Sequence, residues 1–268
     1  MLWEEIIAKS EKMGATPTQV FQEEVQKVLL TSLSRDEAFN HIVFQGGTAL
    51  RLFYGNPRFS EDLDFVLKQN ETFDLTRNIP NMQASVEDAF PFIEKASFNI
   101  QRNDDQMQRL VLKLTGKPFK RVRVHLELTY VPSYHNRPRI LDYPPFNPVV
   151  RVEEDHEILA DKLVALGNRP YIKGRDVWDI YFLAKEKNIA IPWDLVFRKA
   201  TDYGSTPSNL KKNILESTER LEKEGLSVLH GEILRFMPKI TIDQYSENLR
   251  EIVEAVVEII KGEILEGR

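Results

Sequence analysis

The chain contains no cysteine in 268 residues. That excludes disulfide scaffolds, zinc–thiolate sites, iron–sulfur clusters and thiol nucleophiles together. Long apolar runs are missing as well, since no stretch approaches the roughly 20 residues needed to cross a bilayer. A basic segment followed by an apolar one is also absent from the start, where Met1-Leu2-Trp3-Glu4-Glu5-Ile6 carries acids instead. A cytoplasmic protein with no membrane partner is the resulting expectation. Surplus positive charge is lacking too: 36 Lys and Arg stand against 41 Asp and Glu, for a net charge of −5. This argues against a general nucleic-acid coat, so a nucleic-acid partner has to be met by a local basic patch. With 42% hydrophobic and 29% charged residues, the composition is that of a globular chain with a sizeable core. Its length leaves room for one large domain or two modest ones.

Thr16-Pro17-Thr18-Gln19 combines an N-cap threonine, a proline at the first helical position and a glutamine at the third. It predicts a helix running to about Ser32. His41-Ile42-Val43-Phe44-Gln45 then reads as a strand stopped by Gly46-Gly47, with a short helix to Gly55 and a second strand over Asp62–Leu67. A helix is expected around Asn81–Glu94, and strands over Ser97–Gln101, Arg109–Thr115 and Arg121–Tyr130. In the last, Val122, Val124, Leu126 and Leu128 alternate with Arg121, Arg123, His125 and Glu127, the period of a half-buried strand. Prolines at 132, 138, 144, 145 and 148 then crowd an interval suited to neither helix nor central strand. The domain division is expected there, giving residues 1–145 and 146–268. Beyond it the pattern is helical: Glu153–Gly167, Arg175–Lys187, Trp193–Thr201, Ser208–Arg235 with a break near Gly225, and Ile242–Ile264.

The chemistry concentrates between Gly46 and Asp64. On a strand, Asp62 and Asp64 point to one face while Leu63 and Phe65 enter the core. Two adjacent carboxylates repel, and a divalent cation turns that repulsion into coordination. Mg2+ carrying a triphosphate is the natural guest. Gly46 and Gly47 allow backbone amides to approach phosphates closely, and the helix opening at Thr48 offers its positive end to an anion. Arg51 and Arg58 flank these motifs as candidate phosphate neutralisers, and Ser60 as a donor to a phosphate oxygen.

With Gly46-Gly47 followed by Asp62-Leu63-Asp64-Phe65, the sequence resembles the DNA polymerase β nucleotidyltransferase superfamily. The wording GGTALRL…RFSEDLDF is similar to the AbiEii/AbiGii toxin family within it. The resemblance implies an α/β (α+β) nucleotidyltransferase-like domain with a mixed sheet, followed by an all-helical C-terminal domain. It implies cations, Mg2+ or Mn2+, held by Asp62 and Asp64, a nucleoside triphosphate as substrate, and nucleotidyl transfer to an acceptor hydroxyl. Glu127 is the candidate for the superfamily's third carboxylate, as metal ligand or as base. From the family alone come the toxin role, an RNA acceptor such as a tRNA end, and an antitoxin of the AbiEi kind as partner.

A second cluster follows. Lys162 lies four residues from both Ile158 and Leu166, so helical spacing puts a cation on an apolar stripe. Snorkelling outward would explain it. The family resemblance favours the other reading, in which Lys162 reaches a cleft and contacts triphosphate oxygens. Arg175-Asp176-Val177-Trp178-Asp179-Ile180 matches the family's RD-x-x-D pattern. Asp176 falls within an apolar arc and wants a partner, with a role at the nucleotide or in orienting Lys162, and Asp179 sits at the edge of that arc. Lys113, Lys117, Lys120, Arg121 and Arg123 form a basic stretch suited to guiding an RNA strand or simply to being solvated. Three rival functions remain at this level: nucleotidylation of a protein target, a non-catalytic nucleotide-binding regulatory module, and a metal-dependent nuclease that would need no glycine cradle.

Overall fold

The structure is a computed structural model and describes residues 1–265. The chain forms two compact units. The first comprises Met1–Gly55 and Phe59–Glu153, and the second comprises Asn56–Arg58 and the chain from Glu154 onward. No helix among the described residues is long and apolar enough to cross a membrane.

The first unit runs α1 (Trp3–Met13), α2 (Pro17–Arg35), β1 (Ile42–Gln45), α3 (Gly46–Tyr54), β2 (Asp62–Lys68), α4 (Ile79–Ala89), β3 (Lys95–Asn103), β4 (Met107–Gly116), β5 (Phe119–Ser133), β6 (Asn136–Ile140) and β7 (Val149–Glu153). Its strands make one mixed sheet in the order β3-β4-β5-β2-β1-β7-β6. The pairs β2–β5 and β1–β7 are parallel and the others antiparallel. Helix α2 opens as its sequence dictates: Thr16 Oγ1 accepts from the Gln19 backbone N–H, and the Gln19 side chain accepts from Thr16 N–H at 2.9 Å. The alternation on β5 is observed, with Val122, Val124, Leu126 and Leu128 all buried. Leu63 and Phe65 stand opposite Leu126 and Leu128 across the β2–β5 ladder, which makes one continuous apolar face.

The proline-crowded interval holds more structure than expected. β6 contains Pro138 and survives because it is the edge strand, where a missing N–H breaks no ladder bond. The 145/146 division falls in the loop between β6 and β7, and both strands belong to the first unit. The run of helices in the second unit begins at α5.

The second unit contains α5 (Asp155–Asn168), α6 (Gly174–Tyr181) continued by a π-helical segment (Phe182–Glu186), α7 (Trp193–Asp202), α8 (Pro207–Phe236), α9 (Lys239–Tyr245) and α10 (Leu249–Leu265). The break expected near Gly225 is absent. A Cβ on that glycine would stand 2.9 Å from Val253 Cγ1, so Gly225 serves close packing of α8 on α10. The helix expected over Ile242–Ile264 is interrupted by a 3-10 turn at Ser246–Asn248.

Candidate active site

On β2, Asp62 and Asp64 are half-buried on the face opposite Leu63 and Phe65. The strand lies between β1 and β5. Asp64 is paired in register with Gln45 on one side and Glu127 on the other, and Asp62 is paired with His125. Directly opposed residues share a face, so the register brings Glu127 beside Asp64 although 63 positions separate them in sequence.

Helix α3 begins at the residue after β1, with no intervening loop. Gly46 takes φ = +78°, and a Cβ on it would lie 2.6 Å from Oδ2 of Asp64. Both the dihedral and the space select glycine. The first turn of α3 therefore packs against a carboxylate of the motif. Thr48 Oγ1 donates to the backbone carbonyl of Asp62 at 2.5 Å, so its hydroxyl ties the helix to the strand. Gly46 and Gly47 are buried in this turn, whose leading amides have no intrahelical acceptor.

Helix α2 moors both elements. Gln26 Nε2 donates to the Ser60 carbonyl at 2.9 Å, and Gln22 Nε2 donates to the Arg123 carbonyl at 2.7 Å, which fixes the entry to β2 and its neighbour β5. Arg51 of α3 donates through Nε to Glu23 at 2.7 Å, and its guanidinium lies 4.0 Å above the Phe59 ring. Lys27 bridges Glu23 and Glu24 at 3.3 and 3.1 Å. Burial alone would raise the Glu23 carboxyl, but Arg51 and Lys27 outweigh it and hold it below its ordinary value. Burial likewise disfavours the Lys27 ammonium, yet Glu23 and Glu24 raise it. Arg51 is thus placed in a mooring network.

Glu127 is held by Arg109 of β4, Nε to Oε1 at 2.8 Å. His125 Nδ1 is 3.4 Å from Asp62 Oδ1. Among the described residues, no three His, Cys, Asp or Glu side chains are grouped so as to hold a metal ion. Asp62 and Asp64 nevertheless present oxygen donors on one strand face, the donor type that Mg2+ and Mn2+ take. The pair fits such a cation in kind, while Glu127 is engaged with Arg109.

The remaining candidates lie in the second unit. Lys162 of α5 sits between two carboxylates of α6, 2.8 Å from Asp176 and 2.7 Å from Asp179. Asp176 also pairs with Arg169. Arg58 grips Asp179 with two nitrogens, at 2.6 and 2.5 Å, and Asn56 donates to the same carboxylate at 2.9 Å. Asp179 is fully buried and Arg58 nearly so. Burial would raise both carboxyls, but for Asp176 the charges of Lys162 and Arg169 prevail and bring it to about 2. For Asp179, Arg58 and Lys162 do the same, below its ordinary value. Lys162 is raised: burial opposes its charge and the two aspartates overcome it. Arg58, Lys162 and Arg169 thus share Asp176 and Asp179, and the charge of Glu232 also acts on Arg58.

The sequence candidates therefore fall into two sets. Gly46, Gly47, Thr48, Ser60, Asp62, Asp64 and Glu127 gather on or beside β2 in the first unit. Arg58, Lys162, Asp176 and Asp179 form a buried ion network in the second, where Arg58 is a counter-ion to Asp179. Sequence reasoning missed Arg109, Arg169, Gln22, Gln26 and the buried Lys199, which pairs with Glu157 and Asp161 at 2.8 and 2.6 Å.

The family model described as "Nucleotidyl transferase AbiEii toxin, Type IV TA system" matches residues 28–263. No curated protein matches the chain. Among solved structures, JHP933 from Helicobacter pylori is 20% identical over 94% of this chain and 95% of its own, with a TM-score of 0.54. A second Helicobacter pylori structure is 19% identical over 94% and 99%, with a TM-score of 0.57. MenT4, a nucleotidyltransferase toxin from Mycobacterium tuberculosis H37Rv, is 23% identical over 68% and 63%, with a TM-score of 0.47. The two Helicobacter likenesses show a shared fold.

Proposed function

The chain belongs to the AbiEii family of nucleotidyltransferase toxins, and from that premise we propose that it transfers a nucleotidyl group from a nucleoside triphosphate to a hydroxyl of RNA, a tRNA end first of all. The observation that supports the reading is the meeting of the α3 N-terminus with Asp64: amides free of intrahelical acceptors, suited to phosphate, and a carboxylate, suited to a cation, adjoin at Gly46. A nuclease has no need of that cradle.

In the proposed reaction the acceptor oxygen attacks the α-phosphorus, the bond from that phosphorus to the bridging oxygen breaks, and pyrophosphate leaves. Asp62 and Asp64 would hold Mg2+ or Mn2+, which when bound supplies activation of the attacking oxygen and neutralisation of the pyrophosphate. Glu127, opposite Asp64 on β5 and paired with Arg109, is assigned the role of accepting the hydroxyl proton. The amides at Gly46, Gly47 and Thr48 orient the triphosphate at the positive end of α3. Within the second unit, Asp176 and Asp179 fix the Lys162 ammonium and keep it charged, as a phosphate-binding lysine requires. An antitoxin of the AbiEi kind is the regulatory partner that a type IV system implies.

The test is to incubate purified protein with Mg2+, each α-labelled triphosphate in turn and total tRNA, beside Asp64→Ala. Label in tRNA that depends on Asp64 is the expected result. Label in polypeptide instead would move the acceptor to protein, and label in neither, with the fold intact, would overturn the transfer reading.

A further inference from the structure

The register of the sheet sorts the basic stretch. Arg121 and Arg123 share the β5 face with His125 and Glu127, and Lys113 of β4 stands directly opposite Arg123. Through His125 and Glu127 this is the face that carries Asp62 and Asp64 on β2. Ser97 of β3 continues the row beyond Lys113, with Asn99 of β3 two residues along. Lys117 and Lys120 separate from this row, because they lie at the irregular turn where the β4–β5 register shifts.

Two rungs of one ladder contrast. At the first, Arg109 faces Glu127, opposite charges in an ion pair. Four residues along β4, Lys113 faces Arg123, like charges directly opposite, an arrangement that destabilises an antiparallel pair. No carboxylate relieves it: among the described residues, the side chains of Lys113, Arg121 and Arg123 form no ion pair. The chain has five more acids than bases, so this cation-only patch is not a consequence of composition. A repulsive rung kept open beside catalytic carboxylates is what an external polyanion would neutralise.

We propose that the polar row of Arg121, Arg123, Lys113 and Ser97 on this face, beyond the buried Val111, is the track on which the acceptor's sugar–phosphate backbone lies, held by Lys113, Arg121 and Arg123. The inference rests on the RNA-acceptor reading above and adds where the acceptor binds. Arg123 and Arg121 stand about 7 and 13 Å along β5 from His125, which faces Asp62, so the row leads away from the carboxylates in steps. A single strand can follow such a twisted surface and present its terminal hydroxyl at β2. The face offers cations with small polar groups from Ser97 and Asn99, and no row of stacking rings. Binding there is governed by phosphates, tolerant of sequence and sensitive to salt.

The test uses the full chain and a fluorescein-labelled single-stranded RNA oligonucleotide, with anisotropy titrations over a range of salt. A variant carrying Lys113→Gln, Arg121→Gln and Arg123→Gln is compared with Lys212→Gln, an exposed α8 control, and melting curves check the fold. The triple variant is expected to bind about tenfold more weakly or worse, and to lose about 2 from the slope of log affinity against log salt, at roughly 0.7 per phosphate contact. Its KM for RNA rises while its KM for the triphosphate stays. Arg123→Gln alone gives the same shifts in part should the triple variant fold poorly. Wild-type RNA affinity and slope in the folded variants, with label still entering RNA, would overturn the track and leave the acceptor reading standing. Label in polypeptide and never in RNA would remove that reading and this inference with it.

Discussion

Gly46 and Asp64 adjoin so closely that a Cβ on the glycine would sit 2.6 Å from the aspartate's Oδ2. With φ at +78°, Gly46→Ala faces both a left-handed backbone and a displaced carboxylate. Stability is expected to fall by about 1–2 kcal/mol. Transfer should fall by more than that loss explains, because the side chain pushed aside is the aspartate proposed above to hold the cation. Urea midpoints and initial rates on the same preparation check it, and full activity in Gly46→Ala would refute the proposed contact.

Arg109 and Glu127 separate a chemical role from a structural one. The pair is part-exposed, so its contribution to stability is small. Glu127→Gln should slow transfer by about a hundredfold or more. Arg109→Met should cost far less, since it frees the carboxylate without removing it. Equal losses in the two variants would mean that the ion pair matters and the carboxylate's chemistry does not.

Arg58 is expected to act through Asp179. Removing one member of a buried pair strands the other charge, so Arg58→Ala should destabilise by about 3 kcal/mol or more. Arg58→Lys should restore little, because a lysine cannot supply the two-pronged contact that Asp179 receives. Denaturant unfolding reads both. An Arg58→Ala protein as stable as the parent, with only its triphosphate KM raised, would return Arg58 to phosphate binding.

Asp176 gives the acid side of the stability curve. Its carboxyl sits at about 2 in the folded protein, against about 3.9 in an unfolded chain. As pH falls the unfolded state takes up the proton first, so this contribution is complete above about pH 5 and disappears as pH drops toward 2. The stability gap between the parent and Asp176→Asn should therefore narrow on acidification over that window. A gap that is constant from pH 5 to pH 2 would contradict the depressed value.

Much of the frame is legible because its signals are local. The α2 cap, the alternation along β5 and the Asp62–Asp64 spacing each depend on residues within a few positions of one another. Partners distant in sequence are where that reading stops. Arg58 looks like a motif-flanking phosphate ligand until its partner appears 121 positions away. Arg51 likewise reads as a motif-flanking phosphate neutraliser, whereas Glu23 and Phe59 engage it. Charges on α2 signal an outer face, yet Glu23, Glu24 and Lys27 are buried, paired with one another and with Arg51 and Lys9. Pro138 argues against a central strand, but strand order, which no local pattern carries, makes β6 an edge.

The tripeptide Asn56-Pro57-Arg58 has a consequence for dissecting the molecule. It lies between α3 and β2 in the chain but belongs to the helical unit, where it supplies Asp179's counter-ion and the Asn56 oxygen that accepts the Trp178 indole N–H at 2.9 Å. A fragment cut at Glu154 would keep the buried acid with Lys162 and lose Arg58, its two-pronged counter-ion. The helical unit is thus discontinuous in the gene, and it cannot be cloned, shuffled or transplanted as a simple downstream module unless those three residues travel with it.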